Sequence, residues 1–201
     1  MIGRRQILAS ALLLLGSGAA HAADAGLLKR FGAPKTRIQG GTRSVADKPA
    51  PMVLLSEETA LAATAQPDLY WFLSRASGLR IDLSLTPVGA AAPVLQQVMK
   101  RGAGAGVHRL ALAEQGVSLD PSTDYVFAAT LVPDPTMRTA DLSARGTLRY
   151  QPHAGFDDAR AAAAEGYWID AFDLADPATR ALLLDEVGLS PAANWLRQPA
   201  G

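Results

Sequence analysis

Asp170 and Asp173 stand three residues apart in Tyr167-Trp168-Ile169-Asp170-Ala171-Phe172-Asp173, a stretch rich in acids and aromatic rings. On a helix, residues at that spacing share one face. Paired carboxylates supply the acid and the base or nucleophile of glycoside hydrolysis, and neighbouring rings suit a sugar-binding cleft. Glycosidase carboxylates usually oppose each other across a cleft from separate elements, whereas one helix would present both of these. The spacing therefore also fits a solvated or capping helix face. Asp170 and Asp173 carry only the alternative, catalytic reading of this chain.

An anion site is a second candidate. Arg37-Ile38-Gln39-Gly40-Gly41-Thr42-Arg43 sets two glycines and a hydroxyl between two guanidinium groups. Glycine-rich backbone amides can form a nest, and two arginines can clamp a carboxylate or phosphate. The stretch lacks the lysine and the strand-to-helix setting of a phosphate-binding loop, so a structural turn explains it too. Its binding candidates are Arg37, Gly40, Gly41, Thr42 and Arg43. Arg145 and Arg149 form a third group, because alternation through Ser143 to Tyr150 aims both away from Ala144, Gly146 and Leu148. An outward arginine strip either docks a partner or protects a sheet edge.

Other chemistries find few residues. Cysteine is absent, and His108 and His153 lie far apart without spaced partners, so no metal site and no cofactor is expected. His108 shares parity with Leu110 and Leu112, which suits a hydrogen-bonded histidine at the core margin. No Gly-x-Ser-x-Gly elbow or Ser-x-x-Lys motif supplies a nucleophile.

The first residues read as an export signal spanning 1–22. Arg4 and Arg5 precede an apolar run from Ile7 to Leu15, and Ala20-His21-Ala22 gives a small-residue cleavage site. The run is shorter than the roughly 20 residues a membrane span needs, so a cleaved signal is preferred to a retained anchor. Paired arginines resemble a twin-arginine signal, yet general secretory signals carry them as well, and both routes stay open. The chain holds nineteen basic and nineteen acidic residues. Without Arg4 and Arg5, seventeen bases face nineteen acids, a net charge near −2. That balance gives no general attraction to nucleic acid or an anionic membrane. The expected location is periplasmic or secreted, with no transmembrane segment after cleavage. With no disulfide available, burial must hold the fold by itself.

The elements that must position these groups are mostly strands. Residues 23–50 lack periodicity and read as a flexible lead-in. Within 51–150, strands are expected at Met52 to Leu55, Leu69 to Leu73, Leu79 to Thr86, Val94 to Met99, Val107 to Leu112, Tyr125 to Leu131 and Ser143 to Tyr150. Ser56-Glu57-Glu58 opens a short alanine-rich segment that reads as a helical turn or a loop. Val94 to Met99, with two glutamines and a following Lys100 and Arg101, suits an edge. Leu119-x-Pro121-x-x-x-Tyr125 sets a tyrosine where its hydroxyl can return to upstream backbone, the corner device of immunoglobulin-like sandwiches. Both faces of the strand after it are apolar or small, as a central strand requires. About seven evenly spaced strands predict an immunoglobulin- or fibronectin-like antiparallel β-sandwich.

After Tyr150 the pattern turns helical, and residues 151–201 read as an extension packed on the sandwich. Phe156 to Glu165 is built of strong helix formers. A second helix runs from Tyr167 to Leu174. Asp176-Pro177 and Ser190-Pro191 each read as a cap followed by a first-turn proline, and Gly188 as a C-terminal glycine. Tyr70, Trp71 and Phe72 are expected to pack into the core on both faces of their strand, or against these helices, rather than to bind a ligand.

Several of these stretches, taken in order, resemble the domain-of-unknown-function family 928, a set of exported bacterial proteins without an established biochemical activity. They are Arg-x-x-Gly-Gly-Thr-Arg from Arg37, the aromatic strand from Pro67 to Leu73 and the strand from Gly106 to Leu112. The corner at Leu119 to Tyr125, the arginine-ended last strand, and Gly166-x-Trp168-x-Asp170-Ala171 followed by Val187-Gly188-Leu189 complete the series. The resemblance spans Arg37 to Leu189 and implies no catalytic residues. Relatives in that family often carry cysteines that this chain lacks, so no disulfide framework transfers. The expected function is a non-enzymatic binding or interaction module with a protein partner in the cell envelope. The alternative is a cell-envelope glycan hydrolase.

Overall fold

A computed structural model describes residues 38–39, 48–56 and 58–198. Nine strands and four α-helices occur among them. The strands are β1 (Ile38–Gln39), β2 (Pro51–Val53), β3 (Ala60–Ala62), β4 (Asp68–Leu73), β5 (Arg80–Pro87), β6 (Leu95–Met99), β7 (Gly106–Ala111), β8 (Asp124–Val132) and β9 (Leu142–Tyr150). The helices are α1 (Ala159–Glu165), α2 (Trp168–Leu174), α3 (Pro177–Glu186) and α4 (Ser190–Leu196). The chain is mainly β, in two sheets, with the helices at its C-terminal end.

The larger sheet runs β1-β9-β8-β5-β6, with β3 also on β9, and the smaller runs β2-β4-β7. All pairings are antiparallel except β3 with β9, which is parallel. β8 sits in the middle of the larger sheet, as its two apolar faces require. Tyr125, Phe127, Ala129 and Leu131 are buried on one of those faces. Gly146 of β9 meets the smaller sheet so closely that an added Cβ would lie 2.9 Å from Leu55 Cδ1 and 3.1 Å from Val53 Cγ2.

Val53 pairs with Trp71, so Trp71 shares the face turned to the larger sheet. Tyr70 and Phe72 take the opposite face and receive the helices: the Tyr70 and Phe172 rings lie 5.1 Å apart, and those of Phe72 and Trp195 6.4 Å. The molecule thus has three layers: larger sheet, smaller sheet, helices. β4 is buried on both faces because it lies in the middle layer.

Several expectations are corrected. Two strands lie where the sequence pattern predicts none. β3 lies in the alanine-rich stretch read as a turn or loop, and β1 lies inside the lead-in read as flexible. Both are short additions to the edge of β9, and two or three residues are too few for alternation to be visible. The first helix begins at Ala159 rather than Phe156, because the Asp158 side chain accepts from Ala161 N at 2.8 Å and caps it there. Asp176 caps α3 as expected, accepting from the amides of Ala178 and Thr179. Ser190 does not cap α4: it is the helix's first residue, and Leu189 holds the cap position without a side-chain bond.

Candidate functional site

Asp170 and Asp173 both project from α2, and each is held by the sheet layers. Asp170 Oδ2 accepts the amide of Ala63 at 2.8 Å, just past β3. Burial raises its carboxyl above the ordinary carboxylate range, with the Ala63 amide acting in the opposite sense. Asp173 accepts the Tyr70 hydroxyl at 2.7 Å. Burial, followed by that bond, raises the Tyr70 phenol well above its ordinary value. Arg180 closes the group: it donates to the carbonyls of Phe172 and Asp173 at 2.8 Å each, and its guanidinium lies over the Tyr70 and Phe172 rings. A cation on the last carbonyls of α2 offsets the negative helix end. The arrangement fastens α2 to β3 and β4 through half-buried Asp170 and exposed Asp173.

Arg37, Gly40, Gly41, Thr42 and Arg43 lie outside the described residues. Arg145 and Arg149 both fall on the outer face of the larger sheet. Arg149 forms a two-pronged pair with Asp124 at 2.7 and 2.9 Å, across the register that sets these residues side by side. That pair holds the Asp124 carboxyl below its ordinary range. Arg145 is exposed.

His108 stacks on Trp71 with ring centroids 4.3 Å apart, and its Nε2 lies 3.0 Å from the Gly104 carbonyl oxygen. It is thus a hydrogen-bonded ring beside the core. His153 stacks on Phe156 and sits 3.5 Å from a Glu165 carboxylate oxygen. Among the described residues no three His, Asp or Glu side chains gather as metal ligands. No helix of the described residues is long and apolar enough to cross a membrane.

On the outer face of the larger sheet the side chains stand in ordered rows, of which Arg145, Gln96 and Val98 are exposed. Strand register sets Arg145, Ala128, Ser84 and Gln96 in one row, and Ser143, Thr130, Asp82 and Val98 in the next. Thr130 and Ser143 share a hydroxyl hydrogen bond at 2.7 Å. Asp82 is only 7% exposed because Arg80 and Arg138 cover it, at 2.6 and 3.3 Å. Arg138 also grips Asp141 at 2.6 Å, pinning the turn between β8 and β9 to the sheet. Alternation marks Asp82 as an outward residue. It cannot show that an arginine from a loop 56 residues later buries it.

Comparison of the chain with family models, curated proteins and solved structures finds no match.

Proposed function

We propose that the chain is an exported, non-enzymatic interaction module that docks a cell-envelope protein on the outer face of its larger sheet. The carrying observation is the layering. Helices cover the smaller sheet, while Arg145, Gln96 and Val98 stand exposed in register on the open side of the larger one. Export rests on Arg4-Arg5, the Ile7 to Leu15 run and Ala20-His21-Ala22.

The sandwich is immunoglobulin- or fibronectin-like in this reading. In support, β2-β4-β7 corresponds to strands A, B and E, and β6-β5-β8-β9 to C′, C, F and G. Tyr125 at the start of β8 accepts the Asp120 amide at 2.9 Å, as a tyrosine corner does. Phe127 occupies the place where antibody domains carry their second inter-sheet cysteine. Kinship with the domain-of-unknown-function family 928 rests on the order of its motifs alone.

The hydrolase alternative would need Asp170 and Asp173 at a substrate, whereas their known bonds go to Ala63 and Tyr70. The test is affinity capture from a periplasmic extract with the mature chain and with Arg145→Glu. One stoichiometric partner lost in the variant supports docking. Turnover of a cell-envelope glycan that vanishes in Asp173→Asn, with the fold intact, would replace it with the hydrolase.

A further inference from the structure

The two outermost layers carry opposite charge. Over 80–101 and 124–150, which hold β5, β6, β8 and β9, six bases face four acids, a formal charge of +2. Lys100, Arg101, Arg138 and Arg145 are exposed there, Asp82, Asp124 and Asp141 are matched by arginines, and the exposed acids Glu58 and Asp120 lie at the rim. On the helical side, Asp157, Asp158, Glu165, Asp173, Asp176 and Asp185 are exposed against Arg160 and Arg197. From 151 to 198 the chain has eight acids and three arginines, a formal charge of −5. Residues 48–150 are balanced at nine bases and nine acids, so a strongly acidic helical layer stands opposite a mildly basic outer sheet.

Apolar residues accompany both faces. Val94 and Val98 are 48% and 38% exposed on the sheet side, and Leu174 and Leu182 are 47% and 49% exposed on the helices. Two sheet faces brought together would set arginine against arginine, which disfavours a two-fold face-to-face dimer. A sheet face and a helical face match in charge and in apolar content.

We infer that the sheet face docks the helical layer of a second copy of this chain, head to tail. This rests on the docking reading above and names its partner. Such a contact uses two different patches, so it propagates unless its rotation closes a ring.

The test is sedimentation velocity of the mature chain over a range of concentrations and ionic strengths. The average mass should rise with concentration at low salt and fall to the monomer near 1 M salt, where the screening length is about 3 Å. Lys100→Glu with Arg145→Glu, and separately Asp157→Lys with Asp185→Lys, should each weaken association about tenfold or more. Mixing the two variants should restore it, because each reversed face again meets its opposite. A monomer at every concentration overturns the inference. So does association that ignores salt and both reversals but is lost in Gln97→Pro, which would mark pairing along the β6 edge. If the chain stays monomeric and a foreign acidic protein still requires Arg145, the docking reading stands and the second copy is excluded.

Discussion

The indole N–H of Trp168 donates to the carbonyl of Leu54 at 3.0 Å, tying α2 to the chain just after β2 across 114 residues of sequence. Trp168 is fully buried, so no water can replace it. Trp168→Phe should leave that carbonyl unsatisfied, at about 1 to 3 kcal/mol, with lost packing added. Denaturant unfolding measures the loss. Stability equal to the parent would mean the helical layer is not fastened through this bond.

Tyr125 is the corner residue, and its hydroxyl accepts the Asp120 amide. Tyr125→Phe keeps the ring in the core and removes one acceptor. The expected loss is about 0.5 to 1.5 kcal/mol in a denaturant melt.

Gly146 leaves room for Val53 and Leu55 between the sheets. An added methyl must push on two side chains in the core, so Gly146→Ala should cost about 1 to 3 kcal/mol. Pairing it with Leu55→Ala relieves the crowding. The double variant should be more stable than the two single losses summed, which a thermal or urea cycle reads directly.

Burial raises the Asp170 carboxyl in the folded state, so the native chain binds more protons than the unfolded one between the unfolded and folded values. Stability contributed through this group is therefore highest when it is protonated and falls as pH rises through that window. Asp170→Asn retains an oxygen for the Ala63 amide and removes the titration. The stability difference between parent and variant should shift against the parent as pH rises from the acid side.

Asp124 behaves in the opposite sense. Arg149 lowers its carboxyl, so the pair's contribution is present above the unfolded value and is lost as pH falls through the lowered one. Arg149→Gln should flatten that acid limb in unfolding experiments. It should leave the neutral-pH fold intact, because the pair is partly exposed.

Much of the larger sheet was legible from residue types. Leu79 to Thr86 alternates, and β5 buries Ile81, Leu83 and Leu85 as that pattern requires. Pro133 stops β8 at Val132, and Asp176-Pro177 starts α3 at Pro177. Each of these signals is local: a periodicity, a missing amide, a cap. β1 and β3 gave no such signal, since their stability comes from pairing with a strand about 100 residues away.

Side-chain partnership could not be read the same way. Asp170 and Asp173 at helical spacing announce a shared face, and periodicity decides that much alone. Whether the face meets substrate, solvent or a buried amide depends on which element packs opposite. Only the tertiary structure supplies that: β3 brings the Ala63 amide and β4 the Tyr70 hydroxyl. Likewise the sequence determined the count of charges, and near-neutrality followed from it. The acidic excess of 151–198 is also local in sequence. Only layering puts it opposite the exposed arginines of the sheet, because strand register and helix packing choose which residues reach solvent on which side.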